Sequence, residues 1–270
     1  GSGLVKTPSD FGARGQLPTH PELLAWLATR FMESGWSIKQ MHRLIMNSRT
    51  YQLASTADSI PPSSLSLHPS SIDPNNDLHW RFSRQRLDAE SLRDALLMIS
   101  GELDTSMMTE PHPFPPVDKW QFTQHHPFRD SYDSNRRSVY LMMARLNARP
   151  FFTTFDGADR NASTALRDSS VTTVQSLYLL NDDFVHQRST AFAKRIQSEA
   201  ESSETRIQLA FESALGREPT NEEQSMAEEF FGQLRDKLEA CGTPDSELDR
   251  ECWTSFARAL FRTNEFLYVD

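Results

Sequence analysis

Thr19-His20-Pro21-Glu22-Leu23-Leu24-Ala25-Trp26-Leu27-Ala28-Thr29-Arg30-Phe31 carries the signals of a helix start and of a helical apolar stripe. Threonine three residues ahead of a glutamate has the form of a capping box, and proline suits the first turn, where its missing N–H goes unused. Leu23, Leu24, Trp26, Leu27 and Phe31 then recur at helical spacing, which predicts a helix from about Pro21 to Ser34, ended by Gly35. Directly after it, Ser37-Ile38-Lys39-Gln40 repeats the box and opens a second stripe of Ile38, Met41, Leu44 and Ile45. Residues 19–48 are therefore expected to form a helical hairpin packed on the C-terminal helices, with Trp26, Leu27, Phe31, Leu44 and Ile45 buried.

Outward from this hairpin the chain continues in the same idiom. Residues 3–18 hold five glycine and proline positions and read as an irregular lead-in, while 55–77, rich in Ser, Pro and Asp, read as a surface loop. Leu92, Leu96 and Ile99 predict a helix over about 88–101. Prolines and aromatic residues crowd 102–135, which implies a long ordered loop. Residues 138–144 fit a strand or a helix start equally. A helical pattern from Val174 to Ile196 is interrupted at Asn181-Asp182-Asp183, and Thr205–Leu215, Asn221–Ala240 and Ser246–Phe261 complete the series, with a further capping box at Thr220-Asn221-Glu222-Glu223. The fold class is all-α with a long irregular central region. The expected organisation is one mainly helical domain over residues 1–270, a fragment of a larger protein, with sub-structure at 1–135 and 136–270.

Charge narrows the function classes. The net charge of −9 resides in residues 199–251, which hold 15 acidic and 5 basic residues; the remainder is nearly balanced. Phosphate recognition needs a concentrated basic face, so no nucleic-acid partner is expected. No apolar run approaches membrane-spanning length, so no membrane span is expected either. Cys241 and Cys252 fit neither a CxxC motif nor a zinc knuckle; they are either a disulfide across a helical hairpin or free thiols. Gly-x-Ser-x-Gly, P-loop and dinucleotide motifs are absent. No cofactor is assigned.

Candidate site residues fall into two clusters. His112, Asp118, Trp120, His125, His126 and Asp130 gather imidazoles and carboxylates in the central loop, but without the spacing that places two ligands on one helix face, so no metal site is assigned. The second cluster, Phe155-Asp156-Gly157-Ala158-Asp159-Arg160-Asn161 with Arg167 and Gln175 downstream, either binds a polar ligand or forms a structural ion pair between Asp156 and an arginine. The ligand-binding candidates are Asp156, Arg160, Asn161, Arg167, Gln175, His125 and His126. Arg81, Arg84 and Arg86 form a basic patch or a solvated helix entry, and His20 and His42 read as structural.

Gly3-Leu4-Val5-Lys6-Thr7-Pro8-Ser9-Asp10-Phe11-Gly12, Pro18-Thr19-His20-Pro21-Glu22-Leu23-Leu24 with Trp26-Leu27, and Gly35-Trp36-Ser37 form a specific string. With Arg137-Ser138-Val139-Tyr140, Phe155-Asp156-Gly157, Asn161-Ala162-Ser163-Thr164, Gln175, Leu180-Asn181-Asp182 and the terminal Asn264–Asp270, it resembles the planctomycete domain of unknown function 1553. The resemblance implies the C-terminal part of a secreted or periplasmic protein with upstream cytochrome-c-like domains as partners, and a link to polysaccharide ligands. This chain lacks Cys-x-x-Cys-His and so attaches no c-type haem itself. It departs from the family in Val171-Thr172-Thr173-Val174, where a proline commonly precedes the glutamine. The implied role is a binding or interaction module; the alternative is a carbohydrate-active enzyme using Asp156, Arg167 and a loop histidine, with Asp156 and Asp159 as the carboxylate pair to test.

Overall fold

A computed structural model describes residues 3–56, 69–107, 133–143, 145 and 148–269. Among them the chain is mainly helical: α1 (Pro21–Glu33), α2 (Ile38–Met46), α3 (Pro69–Ile72), α4 (Ala89–Ile99), α5 (Pro150–Thr154), α6 (Thr173–Asn181), α7 (Asp183–Glu199), α8 (Ser203–Leu215), α9 (Asn221–Ala240), α10 (Asp245–Leu260) and α11 (Asn264–Leu267). Two-residue strands, Gln85–Arg86 and Tyr268–Val269, form the one sheet among the described residues. The helices fall into two compact units, 1–85 with 268–270, and 86–267. The division expected at 135/136 thus falls inside the second unit.

The first unit is built on the α1–α2 hairpin. Pro21 occupies the first turn as read, but Thr19 does not cap: His20 is the N-cap residue without a side-chain hydrogen bond. The Thr19 hydroxyl instead donates to Leu4 O at 3.4 Å and stands 3.0 Å from His20 Nδ1. Between the helices Gly35 and Trp36 both take left-handed backbone, and Trp36 N–H closes the turn on Phe31 O at 2.9 Å. Ser37 caps α2 by accepting from Gln40 N–H. After α3 the Asp73 carboxylate accepts the backbone N–H groups of Asp77 and Leu78 at 2.8 and 2.7 Å. Asn76 then ties the following turn to Arg81 O and Ser83 Oγ, both at 2.8 Å.

The hairpin forms, but its stripe is not covered as expected. Leu27 and Phe31 are half-buried, whereas Trp26, Leu44 and Ile45 remain 46%, 40% and 41% exposed. Periodicity reports that a helix has an apolar face; it does not report what lies against that face.

The second unit holds the close-packed core. Val185, Ser189, Phe192, Ala193 and Ile196 follow the helical period along α7 and are fully buried against α10, which contributes Trp253, Phe256, Ala257 and Leu260. Leu92 and Leu96 of α4 enter the same core. Aromatic rings give it shape: Phe192 stacks on Phe261 at 5.6 Å between centroids and Phe231 lies 4.4 Å from Trp253. The break read at 181–183 is real, with Asp182 capping α7 by accepting from Phe184 N–H. At Thr220 and Glu223 the capping box is complete. The Arg217 guanidinium adds bonds of 2.8 and 2.6 Å to Glu223 and bonds of 2.6 and 2.8 Å to Glu265, tying the start of α9 to α11. Arg217 holds the Glu223 carboxyl down at about 2. Residues 138–140, ambiguous in sequence, form a short 3-10 turn. Cys241 is exposed, Cys252 is buried, and both are free thiols.

Candidate functional site

Asp156 sits just past α5 with a left-handed backbone (φ +57°), a conformation a non-glycine residue holds only when its surroundings fix it. Gly157 follows because nothing larger fits: a Cβ there would stand 2.7 Å from Phe152 O, the carbonyl that its own N–H bonds. The turn delivers the Asp156 carboxylate to four groups. Arg86 Nη2 donates to Oδ2 at 2.6 Å, Ser170 N–H to the same oxygen at 2.9 Å, the Ser170 hydroxyl to Oδ1 at 2.8 Å, and Gln175 Nε2 to Oδ2 at 3.3 Å. Burial raises the proton affinity of this carboxyl, but the Ser170 bonds and the Arg86 charge outweigh it and hold the pKa below its ordinary value.

Gln175 locks the arrangement. It is buried, its Nε2 donates to Thr154 O at 2.9 Å, and its Oε1 accepts from Thr172 N–H at 3.2 Å. Thr172 Oγ1 accepts from Gln175 N–H in return, completing a capping box that opens α6. The box draws on the backbone N–H groups of Thr172 and Gln175. Arg86 also donates to Ser170 O and to Phe155 O. The cluster is a clasp joining residues 86, 154–156 and 170–175, in which Arg86 Nε is buried without a hydrogen-bond partner. An ionised carboxylate so surrounded is a poor proton acceptor near neutral pH and a good anchor.

Other expected site residues take separate partners. Arg167 bonds Glu90 and lies 3.9 Å from Asp88, and the arginine paired with Asp156 is Arg86, from a stretch read as a basic patch or a solvated helix entry. Asn161 N–H donates to Asp159 Oδ1 at 2.8 Å, while Arg160 lines a small cavity of about 200 Å³ with Arg149, Phe152 and Gly157. His125 and His126, with the rest of the central histidine cluster, lie outside the described residues. Among the described residues no group of three or more His, Cys, Asp or Glu side chains is placed to hold a metal ion. No helix among them is long and apolar enough to cross a membrane.

A broad depression lies within the first unit. It measures about 840 Å³ and runs between α1, α2 and the 76–83 turn. Leu23, Trp26 and Leu27 of α1, Leu44 and Ile45 of α2, with Tyr51 and Phe82, supply apolar walls. Asn76 and His79 border it with left-handed backbones, φ +57° and +55°. His79 stacks on His20 at 5.4 Å, and burial followed by the neighbouring His20 charge holds its pKa below the ordinary value. Sequence reading assigned Trp26, Leu27, Leu44 and Ile45 to a core, because stripe and groove have the same periodicity, and did not single out Tyr51, Asn76, His79 or Phe82.

No curated protein and no solved structure matches the chain. The sequence pattern of the family described as protein of unknown function (DUF1553), PSD1, matches residues 1–231, a span that takes in both the groove and the Asp156 clasp and stops short of the terminal 264–270 string. The chain belongs to that family of unknown function.

Proposed function

We propose that this chain is a binding module of a larger exported protein, and that its ligand surface is the groove of the first unit. The observation that carries this reading is the contrast between the units. In the second, Leu92, Leu96 and Leu97 of α4, Val185, Phe192 and Ile196 of α7, and Leu248, Trp253, Phe256 and Leu260 of α10 are buried, although Met98 of α4 is exposed. In the first, Leu23, Leu24, Trp26, Leu44, Ile45 and Tyr51 stay exposed, and five of the six line one depression. A contiguous apolar surface of this kind marks an interaction site more often than a solvated face. Strained backbone at Asn76 and His79, held by the Asp73 and Asn76 hydrogen bonds, supports a preformed rim. The Asp156 clasp joins three segments of the second unit, which supports a structural role for it. Export and a place beside cytochrome-c-like domains rest on the family resemblance.

A thermal-shift screen of the chain against amphipathic peptides, sulfated and neutral oligosaccharides and divalent metals tests the reading. A saturable upward shift that disappears in Leu44→Asn supports it. A shift retained in that variant places the ligand elsewhere, and silence throughout leaves a scaffold role.

A further inference from the structure

The groove is charged with one sign. Arg43 from α2 and Arg81 from the turn border it, and among the described residues no Asp or Glu does. Among the described residues neither guanidinium has a carboxylate within salt-bridge distance; Arg81 lies over the Trp80 ring at 5.2 Å. Elsewhere the arginines that anchor the fold, Arg86, Arg136, Arg188 and Arg217, each reach an acidic side chain. The two cations at the groove are thus set apart from the chain's own ion-pair networks.

The walls say what kind of body sits between them. Leu23, Trp26 and Leu27 form an i, i+3, i+4 ridge on α1, and Leu44 and Ile45 face the same depression from α2. Two packed helices with an uncovered seam match the ridges of a third helix. A sugar would leave many hydroxyls without partners against the leucines and isoleucine. Building on the groove as the binding surface, we infer that its occupant is an amphipathic helix of a partner protein, with carboxylates flanking its apolar stripe to meet Arg43 and Arg81.

The test uses the whole chain and three synthetic peptides of about 18 residues, long enough for several helical turns, sharing one leucine stripe and differing only in Glu, Gln or Lys at the flanking positions. Fluorescence anisotropy of labelled peptide measures affinity at low and high salt. The Glu peptide is expected to bind roughly 3- to 30-fold more tightly than the Gln peptide at low salt, as two exposed ion pairs allow, and the Lys peptide most weakly. In Arg43→Gln/Arg81→Gln that preference is expected to vanish, so that the Glu and Gln peptides bind alike. Circular dichroism and urea midpoints check that the variants fold. Equal affinity for the Glu and Gln peptides, lost in Leu44→Asn/Ile45→Asn, would overturn the acidic helix and leave the groove standing. Binding of dodecyl sulfate or decanoate with no peptide bound would overturn the helix in favour of a small amphiphile. Peptide binding that survives Leu44→Asn/Ile45→Asn, or no binding of any probe, would overturn both readings.

Discussion

Arg86 and Asp156 are 70 positions apart in sequence, yet Nη2 of one lies 2.6 Å from Oδ2 of the other, and the same guanidinium reaches the carbonyls of Phe155 and Ser170. One cation thereby fixes the turn after α5 and the segment entering α6. Replacing Arg86 with leucine strands a partly buried carboxylate and two carbonyls. Because Asp156 keeps some contact with solvent, the cost is expected at about 1–3 kcal/mol, below that of breaking a fully buried pair. Urea denaturation checks it; a loss under about 0.5 kcal/mol would put Arg86 among ordinary surface arginines.

The clasp also sets a pH dependence. The Asp156 pKa is depressed in the folded chain, so its stabilisation is fully present above the unfolded-state value of about 3.9 and is lost as pH falls through the folded value. Wild type and Asp156→Asn should therefore differ most near neutrality and converge as pH drops below about 4. Denaturation midpoints of both proteins across that range read this directly, and a constant gap would assign the loss to something other than the charge.

Gln175 is the buried hinge of the same network. Truncation to alanine leaves Thr172 N–H and Thr154 O without their partners, which is expected to cost about 1–3 kcal/mol. Amide exchange should report faster opening at the start of α6 specifically, with the centre of α7 unchanged.

Gly157 offers a steric check on the turn. A methyl group there meets Phe152 O at 2.7 Å, so Gly157→Ala is expected to destabilise by about 1–3 kcal/mol, visible as a lowered melting temperature. A neutral result would mean that the turn relaxes more easily than its hydrogen bonds imply.

The helices were legible wherever capping and stripe agree, as at Thr220–Glu223 ahead of α9 and Asp182 ahead of α7. Thr19 misled because its hydroxyl found Leu4 O, a partner fifteen residues upstream that local pattern cannot foresee. For the same reason Asp156 was weighed against Arg160 and Arg167, its neighbours in sequence, while the partner was Arg86. Its membership with Gln175 in one cluster was readable, since both belong to the recurring motifs; Ser170 carried no signal of its own. Trp26, Leu44 and Ile45 were identified as apolar-face residues and assigned to a core, and only coordinates separate a stripe that is covered from one that is open.

The central claim is that the uncovered face of α1 and α2 is where this protein meets its ligand. Methyl spectra of the chain labelled at leucine and isoleucine, recorded while the Glu-flanked peptide is added, test it most directly. The account predicts saturable shifts at Leu23, Leu27, Leu44 and Ile45, with Leu92, Leu96 and Ile196 of the second unit's core left in place. Shifts confined to the second unit, or none at the α1–α2 methyls at saturating peptide, would contradict it.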